Sequence, residues 1–354
     1  MTFVLYVFLG AANLFFCIEK KKSISIQAIT LLFVCLIFVG SRNTLDLDNY
    51  IEMYETDLES IRGLQFYYWG LMNVCIDLGL SFYQFRFVLS AIALTLLFIF
   101  IRKASYNPHL VLLIYLLYPI FMDDIQIRNF VATSFLYIGI YYALEEKRNW
   151  KIYLSISILL ATFNHVLFLV YFVFLLSINN KRKLYYYIAF FFLLTIFLVL
   201  NKDRLGLLYT IMTFVDSGRA DTYAEASTRY GALLFVIYQA ITLALYRKLI
   251  SLFRYQSFPD KIIRTANILF RLNVLISVCL PLIVIDFNFY RLMRSMFIVN
   301  VICFSNTLFF ANKRRNILLY IALYFYLWVN VDLFAANNFE ERVIPIFQYN
   351  TLSW

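Results

Sequence analysis

Four arginines stand at the borders of apolar runs, where a charged side chain is costly unless it is paired or functional. Arg42 directly follows one such run, and Arg128 directly precedes another. Arg291 and Arg294 open a third run and are three residues apart, which places both on one face of a helix. Because a guanidinium group grips phosphate through two parallel hydrogen bonds, these residues predict a pyrophosphate-binding site.

Two side chains are candidates for moving a proton. Asp48 lies in residues 41–63, the most polar stretch of the chain, and His165 is one of two histidines. A carboxylate or a neutral imidazole can take the proton of an attacking hydroxyl group, so each is predicted as a catalytic base. A solvated loop acid and a structural histidine explain the same two residues equally well.

Sugar recognition is predicted for two tyrosines and one further arginine. Tyr50 and Tyr54 are one helical turn apart, and tyrosine rings can stack on sugar rings. Arg219 lies in the polar stretch 201–229, which could act as a lid or bind an acceptor. We therefore predict residues 41–85 and 201–229 as substrate-binding elements, although ordinary solvated loops account for both stretches as well.

The composition indicates that these residues are carried by a membrane protein. Of 354 residues, 63% are apolar and 15% are charged, with a mean hydropathy of +0.75. Soluble domains are about 45–50% apolar and about 25% charged. The chain therefore has too little polar surface for a soluble protein and too much apolar sequence for a disordered one. We predict a single integral membrane domain over residues 1–354.

Twelve apolar runs predict an all-α fold of about twelve transmembrane helices, since a span takes about 20 residues. The runs are 3–18, 24–40, 86–101, 109–122, 130–144, 151–163, 166–178, 184–200, 230–246, 262–285, 292–310 and 316–335. Residues 64–80 are aromatic but contain Asp77. We predict that they form a re-entrant or interfacial helix at the outer face.

The distribution of charge predicts the orientation. With 64–80 left out of the spans, alternate loops hold 19 basic and 4 acidic residues, and the remaining segments hold 11 basic and 17 acidic residues. Basic residues mark the cytoplasmic side, so both termini are predicted outside. The outer cations are ten arginines and one lysine, a preference that the charge rule does not explain. An anionic outer substrate accounts for it, and pairing with the outer acids or with lipid headgroups accounts for it equally well.

Several function classes have no support in the sequence. No P-loop, GxGxxG or GxSxG pattern is present, and the sequence shows no HExxH motif or His/Cys cluster. We therefore expect no cofactor and no metal. The net charge of +10 is explained by cytoplasmic loops, so no nucleic acid partner is expected.

Several motifs resemble the EpsG branch of the Wzy-type polysaccharide polymerases. The first is the pattern R-x5-D-x-Y-x3-Y, which begins at Arg42 just after the second apolar run. The stretches IRNFVA at 127–132 and RLMRSMF at 291–297 resemble the family's Arg-containing blocks. The run at 145–169 resembles its basic turn, short span and outer histidine, and VIPIFQYN resembles its C-terminal tail.

The resemblance implies a metal-independent glycosyltransferase with a GT-C-like fold in the bacterial cytoplasmic membrane. It would join undecaprenyl-pyrophosphate-linked repeat units on the outer face, releasing undecaprenyl pyrophosphate and building O-antigen, capsule or exopolysaccharide. Its partners would be the lipid-linked oligosaccharide and the bilayer, with a chain-length regulator as a further candidate. Two alternatives remain open: a flippase or other transporter for lipid-linked oligosaccharides, and an O-antigen ligase.

Overall fold

The computed structural model of the chain describes residues 2–56, 65–176, 181–201, 231–253, 257–311, 320, 323–324, 326–330 and 339–351. Within these ranges every regular element is a helix. The chain divides into two compact units: unit 1 is Met1–Leu169 with Val301–Trp354, and unit 2 is Val170–Asn300. That residues 1–354 form one domain stays a prediction.

The helices of unit 1 come from both ends of the chain. In order they are α1 (Thr2–Ile18), α2 (Ile24–Gly40), α3 (Leu47–Glu55), α4 (Phe66–Asp77), α5 (Phe82–Ala104), α6 (Pro108–Leu117), α7 (Pro119–Ile125), α8 (Ile127–Leu144) and α9 (Trp150–Asn164). A 3-10 helix, Val166–Leu176, leads into unit 2.

Unit 2 is built from helices separated by short 3-10 turns. They are α10 (Lys181–Leu200), α11 (Gly231–Leu252), α12 (Asp260–Leu275), α13 (Cys279–Ile285) and α14 (Tyr290–Ser295). Helix α15 (Phe297–Phe310) leads back to unit 1, where α16 (Phe339–Arg342) and α17 (Ile344–Gln348) follow.

The lengths of these helices identify a polytopic membrane protein. Among the described residues, five helical stretches are long and apolar enough to cross a bilayer, and the bent pair α6–α7 makes up to six. The five are Phe82–Ala104, Arg182–Leu200, Gly231–Leu252, Asp260–Ile285 and Phe287–Phe310. Shorter apolar helices are α1, α2 and Val166–Leu176. The run at 316–335 lies largely outside the described residues, so twelve spans stay a prediction.

The bend between α6 and α7 follows from the sequence. Asn107 accepts a hydrogen bond from the N–H of Leu110 and Pro108 opens α6, which is a standard helix start. Pro119 then disfavours helical backbone at Tyr118, whose φ and ψ are −142° and −60°. The axes bend by 59° at this break, so the run 109–122 is not one straight helix.

Helix α4 has only 12 residues, which is too short to span a bilayer on its own. It buries Tyr68, Trp69, Met72 and Cys75. Helix formation at residues 66–77 therefore agrees with the prediction for 64–80, and its interfacial or re-entrant position stays a prediction.

The helices of unit 1 run between two chemically different ends. Helices α5 and α8 point the same way, because Arg86 early in α5 contacts Asp124 just before α8, and Phe100 and Tyr137 stack further along at 4.9 Å. Helix α2 ends beside the start of α5, where Arg42 covers Tyr83. We call this the arginine end of unit 1, defined by Arg42, Arg86 and Arg128.

The opposite end carries lysines, and we call it the lysine end, defined by Lys22, Lys103 and Lys147. Lys103 lies 5.5 Å from the ring of Tyr141, which joins the last turns of α5 and α8. Lys22 lies 5.9 Å from the ring of Tyr106, just before α6 begins.

The hairpin of α8 and α9 turns at the lysine end and returns to the arginine end. The two helices pack closely because Gly139 has no side chain: a Cβ there would lie 2.7 Å from the Cβ of Ser157. Since the helices are antiparallel and of similar length, Arg128 at the start of α8 and His165 just after α9 lie at the same end.

The C-terminal segment docks on the end of α2. The side-chain amide of Asn350 donates to the carbonyl oxygen of Ile37 at 2.9 Å, and the N–H of Thr351 donates to that of Gly40 at 2.9 Å. The bond to Gly40 satisfies a carbonyl group that a helix end leaves without a partner, and the bond to Ile37 adds a donor to a carbonyl that already accepts from Ser41. The segment therefore fixes the point from which Arg42 emerges.

Replacing Gly40 by alanine is expected to displace the C-terminal segment. The new Cβ would lie 2.2 Å from Oδ1 of Asn350, and an overpacked site of this kind costs about 1–3 kcal/mol. Thermal unfolding in detergent and proteolysis of the C-terminal segment measure the effect. Gly10→Ala is the matched control, because a Cβ at Gly10 meets nothing within 4 Å. Equal behaviour of the two variants would contradict the prediction.

The core of unit 2 closes around a polar network. Leu184, Leu243 and Val274 form an apolar cluster between α10, α11 and α12. Beside it, the side chains of Asn273 and Asn300 exchange hydrogen bonds of 2.8 and 3.1 Å, and the hydroxyl of Tyr246 donates to Asn300 at 2.8 Å. Buried polar groups that hydrogen-bond to one another in this way fix the alignment of the helices that carry them.

Candidate functional site

Arg42 is held over an aromatic ring at the arginine end. Its guanidinium carbon lies 3.5 Å from the ring centre of Tyr83, and its Nη1 donates to the carbonyl oxygens of Val39 and Ser41 at 2.8 and 3.0 Å. Burial lowers the pKa of Arg42, and the nearby positive charge of Arg86 lowers it further. An incoming anion would relieve this repulsion.

Arg128 is held in the same way by a second tyrosine. Its guanidinium carbon lies 4.5 Å from the ring centre of Tyr68, a fully buried residue of α4. Its Nε is buried and has no hydrogen-bond acceptor among the described residues. Burial raises the pKa of Tyr68, and the charges of Arg128 and Arg86 oppose that rise, so all three groups are close neighbours.

Arg86, the third arginine, is tied into an ion pair. Its Nη2 donates to Oδ1 of Asp124 at 2.7 Å and to the carbonyl oxygen of the same residue at 2.9 Å. The two side chains are 1% and 0% exposed. Among the described residues, neither Arg42 nor Arg128 has such a carboxylate partner, so the uncompensated charge of this end comes from those two residues.

Asp48 and the two tyrosines of α3 have different surroundings. Asp48 is exposed and lines an open cleft of about 540 Å³ beside α17. The hydroxyl of Tyr54 donates to the carbonyl oxygen of Leu80 at 2.7 Å, and its ring stacks on Phe85 at 5.3 Å. Tyr50 is half-buried and close to Tyr68. Tyr54 thus anchors α3, while Asp48 is accessible.

His165 caps the end of α9 at the arginine end. Its backbone N–H donates to the carbonyl oxygen of Ala161 at 2.9 Å, and its half-buried ring lies 6.1 Å from that of Phe168. The geometry therefore gives this histidine a structural position and leaves a catalytic role as a prediction.

Arg291 and Arg294 lie in unit 2, within the short helix α14. Arg291 is half-buried, and Arg294 is 6% exposed, with Tyr171 nearby. Burial raises the pKa of Asp286, which the N–H and side chain of Asn288 and the charge of Arg291 counteract. Arg291 thus lies near one buried acid, Asp286, in the turn before α14.

Some predicted site residues are not tested by the structure, and some residues that shape the site were not predicted. Arg219 and the stretch 202–230 lie outside the described residues. Asp124 was not predicted as a site residue, and the structure pairs it with Arg86. Neither Tyr68 nor Tyr83 was singled out as the ring beneath an arginine. One weak signal for this role is present in the sequence: each tyrosine lies in an aromatic stretch beside a predicted helix start.

These observations define the class: a polytopic helical membrane protein with an arginine-lined, aromatic-backed site at one end of its first unit. The family follows from comparison with known proteins. The model of the EpsG family matches residues 3–351, so this chain belongs to the EpsG family. The comparison of this chain with curated proteins found no match, and neither did the comparison with solved structures. Family membership indicates a polymerase-type role in polysaccharide synthesis at a membrane.

Proposed function

We propose that this protein polymerises polysaccharide repeat units carried on undecaprenyl pyrophosphate. The observation that supports the proposal most strongly is the pair of guanidinium groups, Arg42 and Arg128, held on tyrosine rings at one end of the helices. Such preorganised cations stabilise a pyrophosphate as it takes up negative charge in the transition state. Family membership supports a polysaccharide-polymerase role, and the carrier lipid is part of the proposal.

The reaction transfers the glycan of one lipid-linked unit to a sugar hydroxyl of another. The anomeric C–O bond to the donor's pyrophosphate breaks, a new C–O bond forms to the acceptor hydroxyl, and undecaprenyl pyrophosphate leaves. Arg42 and Arg128 are proposed to bind the leaving pyrophosphate, and the pyrophosphate-binding role of Arg291 and Arg294 stays a prediction. No ATP or other cofactor enters, because the glycosyl-pyrophosphate bond supplies the free energy.

The location proposed for the protein follows from its charges. The arginine end faces outward, the lysine end faces the cytoplasm, and about twelve spans in a GT-C-like arrangement cross the bacterial cytoplasmic membrane. The contact between Phe3 and Phe347 supports a common side for both termini, since it joins the start of α1 to α17.

Asp48 is our first choice for the base, because it is exposed on the wall of a cleft. Asp48→Asn is expected to lower turnover by about 10²–10⁴-fold. The ladder formed from lipid-linked units measures turnover in Asp48→Asn and in His165→Gln. A full rate in Asp48→Asn, together with a loss in a folded His165→Gln, would assign the base to His165 instead.

Purified protein incubated with lipid-linked repeat units tests the proposal as a whole. A polymerase produces a ladder of lipid-linked chains that differ by one unit and releases one undecaprenyl pyrophosphate per bond formed. A flippase moves the units between leaflets of a vesicle without forming bonds. A ligase consumes them only when a separate acceptor is added, and either of these outcomes would overturn the proposal.

A further inference from the structure

An open cleft lies at the arginine end of unit 1, between the start of α3 and the C-terminal helix α17. Its volume of about 540 Å³ is within the range of sites for small ligands, about 300–1,000 Å³. The residues that line it are Asn43, Thr44, Leu45, Asp48, Glu340, Ile344, Pro345, Gln348 and Tyr349.

The chemistry of the lining favours a neutral ligand rich in hydroxyl groups. Side-chain amides, two hydroxyls and two carboxylates, from Asp48 and Glu340, surround the cleft, and no lysine or arginine among the described residues lines it. These groups both donate to and accept from hydroxyl groups, while the two carboxylates repel an anion such as pyrophosphate. The cleft thus differs in kind from the cluster of Arg42 and Arg128.

Two of the lining residues, Tyr349 and Asn43, have features that bear on ligand binding. The ring of Tyr349 is part of a side chain that is 47% exposed, which leaves an apolar face that can cover the C–H face of a sugar. Asn43 has a φ of 60°, a left-handed conformation that asparagine adopts more readily than most residues, and this turn places its amide at the cleft.

The wall made by α17 is held rigidly from behind. Ile346 is fully buried, and the ring of Phe347 packs at 5.0 Å from that of Tyr6 and at 6.1 Å from that of Phe121. Asn350 fixes the end of the segment to α2. Residues 344, 345, 348 and 349 lie on the opposite face of the helix and line the cleft. The cleft is therefore formed before any ligand arrives.

We propose that this cleft binds the acceptor glycan, with Gln348 and Tyr349 as its contacts in the C-terminal segment. The identity of the glycan rests on the proposed function, whereas the preference for a neutral, polyhydroxylated ligand rests on the lining. Asp48 stands on the opposite wall from α17, where an acceptor hydroxyl bound in the cleft would meet it.

Binding without chemistry tests this site separately from the polymerase reaction. The probe is a set of short oligosaccharides released from the producing cell's own polysaccharide by partial hydrolysis. Isothermal titration of the full chain in detergent is expected to show binding that weakens about tenfold in Tyr349→Ala and in Gln348→Ala, because ring stacking and one amide partner are lost. Tyr349→Phe keeps the ring and is expected to retain binding.

Tyr186→Ala is the matched control, since this tyrosine is 74% exposed on α10, in unit 2. Unchanged elution and unfolding temperature show that each variant is folded. The inference is overturned if the wild-type chain does not bind the oligosaccharides, if Tyr349→Ala and Gln348→Ala bind like Tyr186→Ala, or if inorganic pyrophosphate displaces the sugar. A protein that binds the sugars through this cleft but forms no ladder would overturn the proposed function alone.

Discussion

Replacing Arg128 by lysine is expected to lower polymerisation by about 10²–10³-fold while the protein remains folded. The substitution keeps the positive charge but removes the planar fork that binds two phosphate oxygens at once. It also removes the cation from its fixed place 4.5 Å above Tyr68, since a flexible ammonium group is not oriented by the ring in this way. The same change at Arg42 is expected to have a similar effect, because Tyr83 orients it likewise.

The ladder formed from lipid-linked units measures the effect, read as separate changes in kcat and KM. An interaction made only in the transition state lowers kcat and kcat/KM together, which is the expected result for a group that binds the leaving pyrophosphate. Arg102→Lys is the matched control, because Arg102 is an exposed arginine in the last turn of α5, near the lysine end.

Two outcomes would count against this role. A ladder of normal length and rate from Arg128→Lys would exclude the fork from catalysis. A rise in KM with kcat unchanged would leave Arg128 with ground-state binding alone. Loss of activity in Arg102→Lys to the same degree would show that the assay reports folding or membrane insertion and not the site.

The sequence predicted the helices well because the signal for a buried or lipid-facing helix is local. Apolar runs such as 24–40 and 184–200 correspond closely to α2 and α10. The alternation of basic and acidic loops separated Arg42 and Arg128 from Lys22 and Lys103, and the structure places these pairs at opposite ends of unit 1. Composition and charge act along the chain, so both can be read without knowing which helices touch.

The contacts that position the site are not local, and this is why the sequence did not reveal them. Arg86 and Asp124 stand in different apolar surroundings and are 38 positions apart. The bond from Asn350 to α2 spans 313 positions. With 28 tyrosines in the chain, nothing in the sequence distinguishes Tyr68 and Tyr83 as supports for arginines. Only the packing of α4 and α5 against their neighbours gives these rings that role.

Breaking the buried ion pair is expected to produce the largest loss of stability. Arg86→Met would leave the carboxylate of Asp124 fully buried without its partner, and removing one member of such a pair costs about 3–5 kcal/mol. The double variant Arg86→Met with Asp124→Leu removes both charges and is expected to recover most of that loss. Unfolding in detergent, followed by temperature or by a denaturing detergent, measures both variants.

The exposed pair of Lys21 and Glu19 provides the control. These side chains are 3.5 Å apart and 67% and 44% exposed, so Glu19→Gln is expected to change stability by at most about 1 kcal/mol. If Arg86→Met unfolds no more readily than Glu19→Gln, the buried pair does not stabilise the folded protein. A double variant as unstable as the single one would show that the loss comes from packing and not from charge.

The double variant also separates structure from catalysis at the arginine end. Since Asp124 already neutralises Arg86, the pair is expected to hold α5 against α7 and not to bind the donor. A stable double variant should therefore still form the ladder, whereas Arg128→Lys in the same background should not. A double variant that is stable but inactive would make Arg86 a third ligand of the pyrophosphate, released from Asp124 when the donor binds.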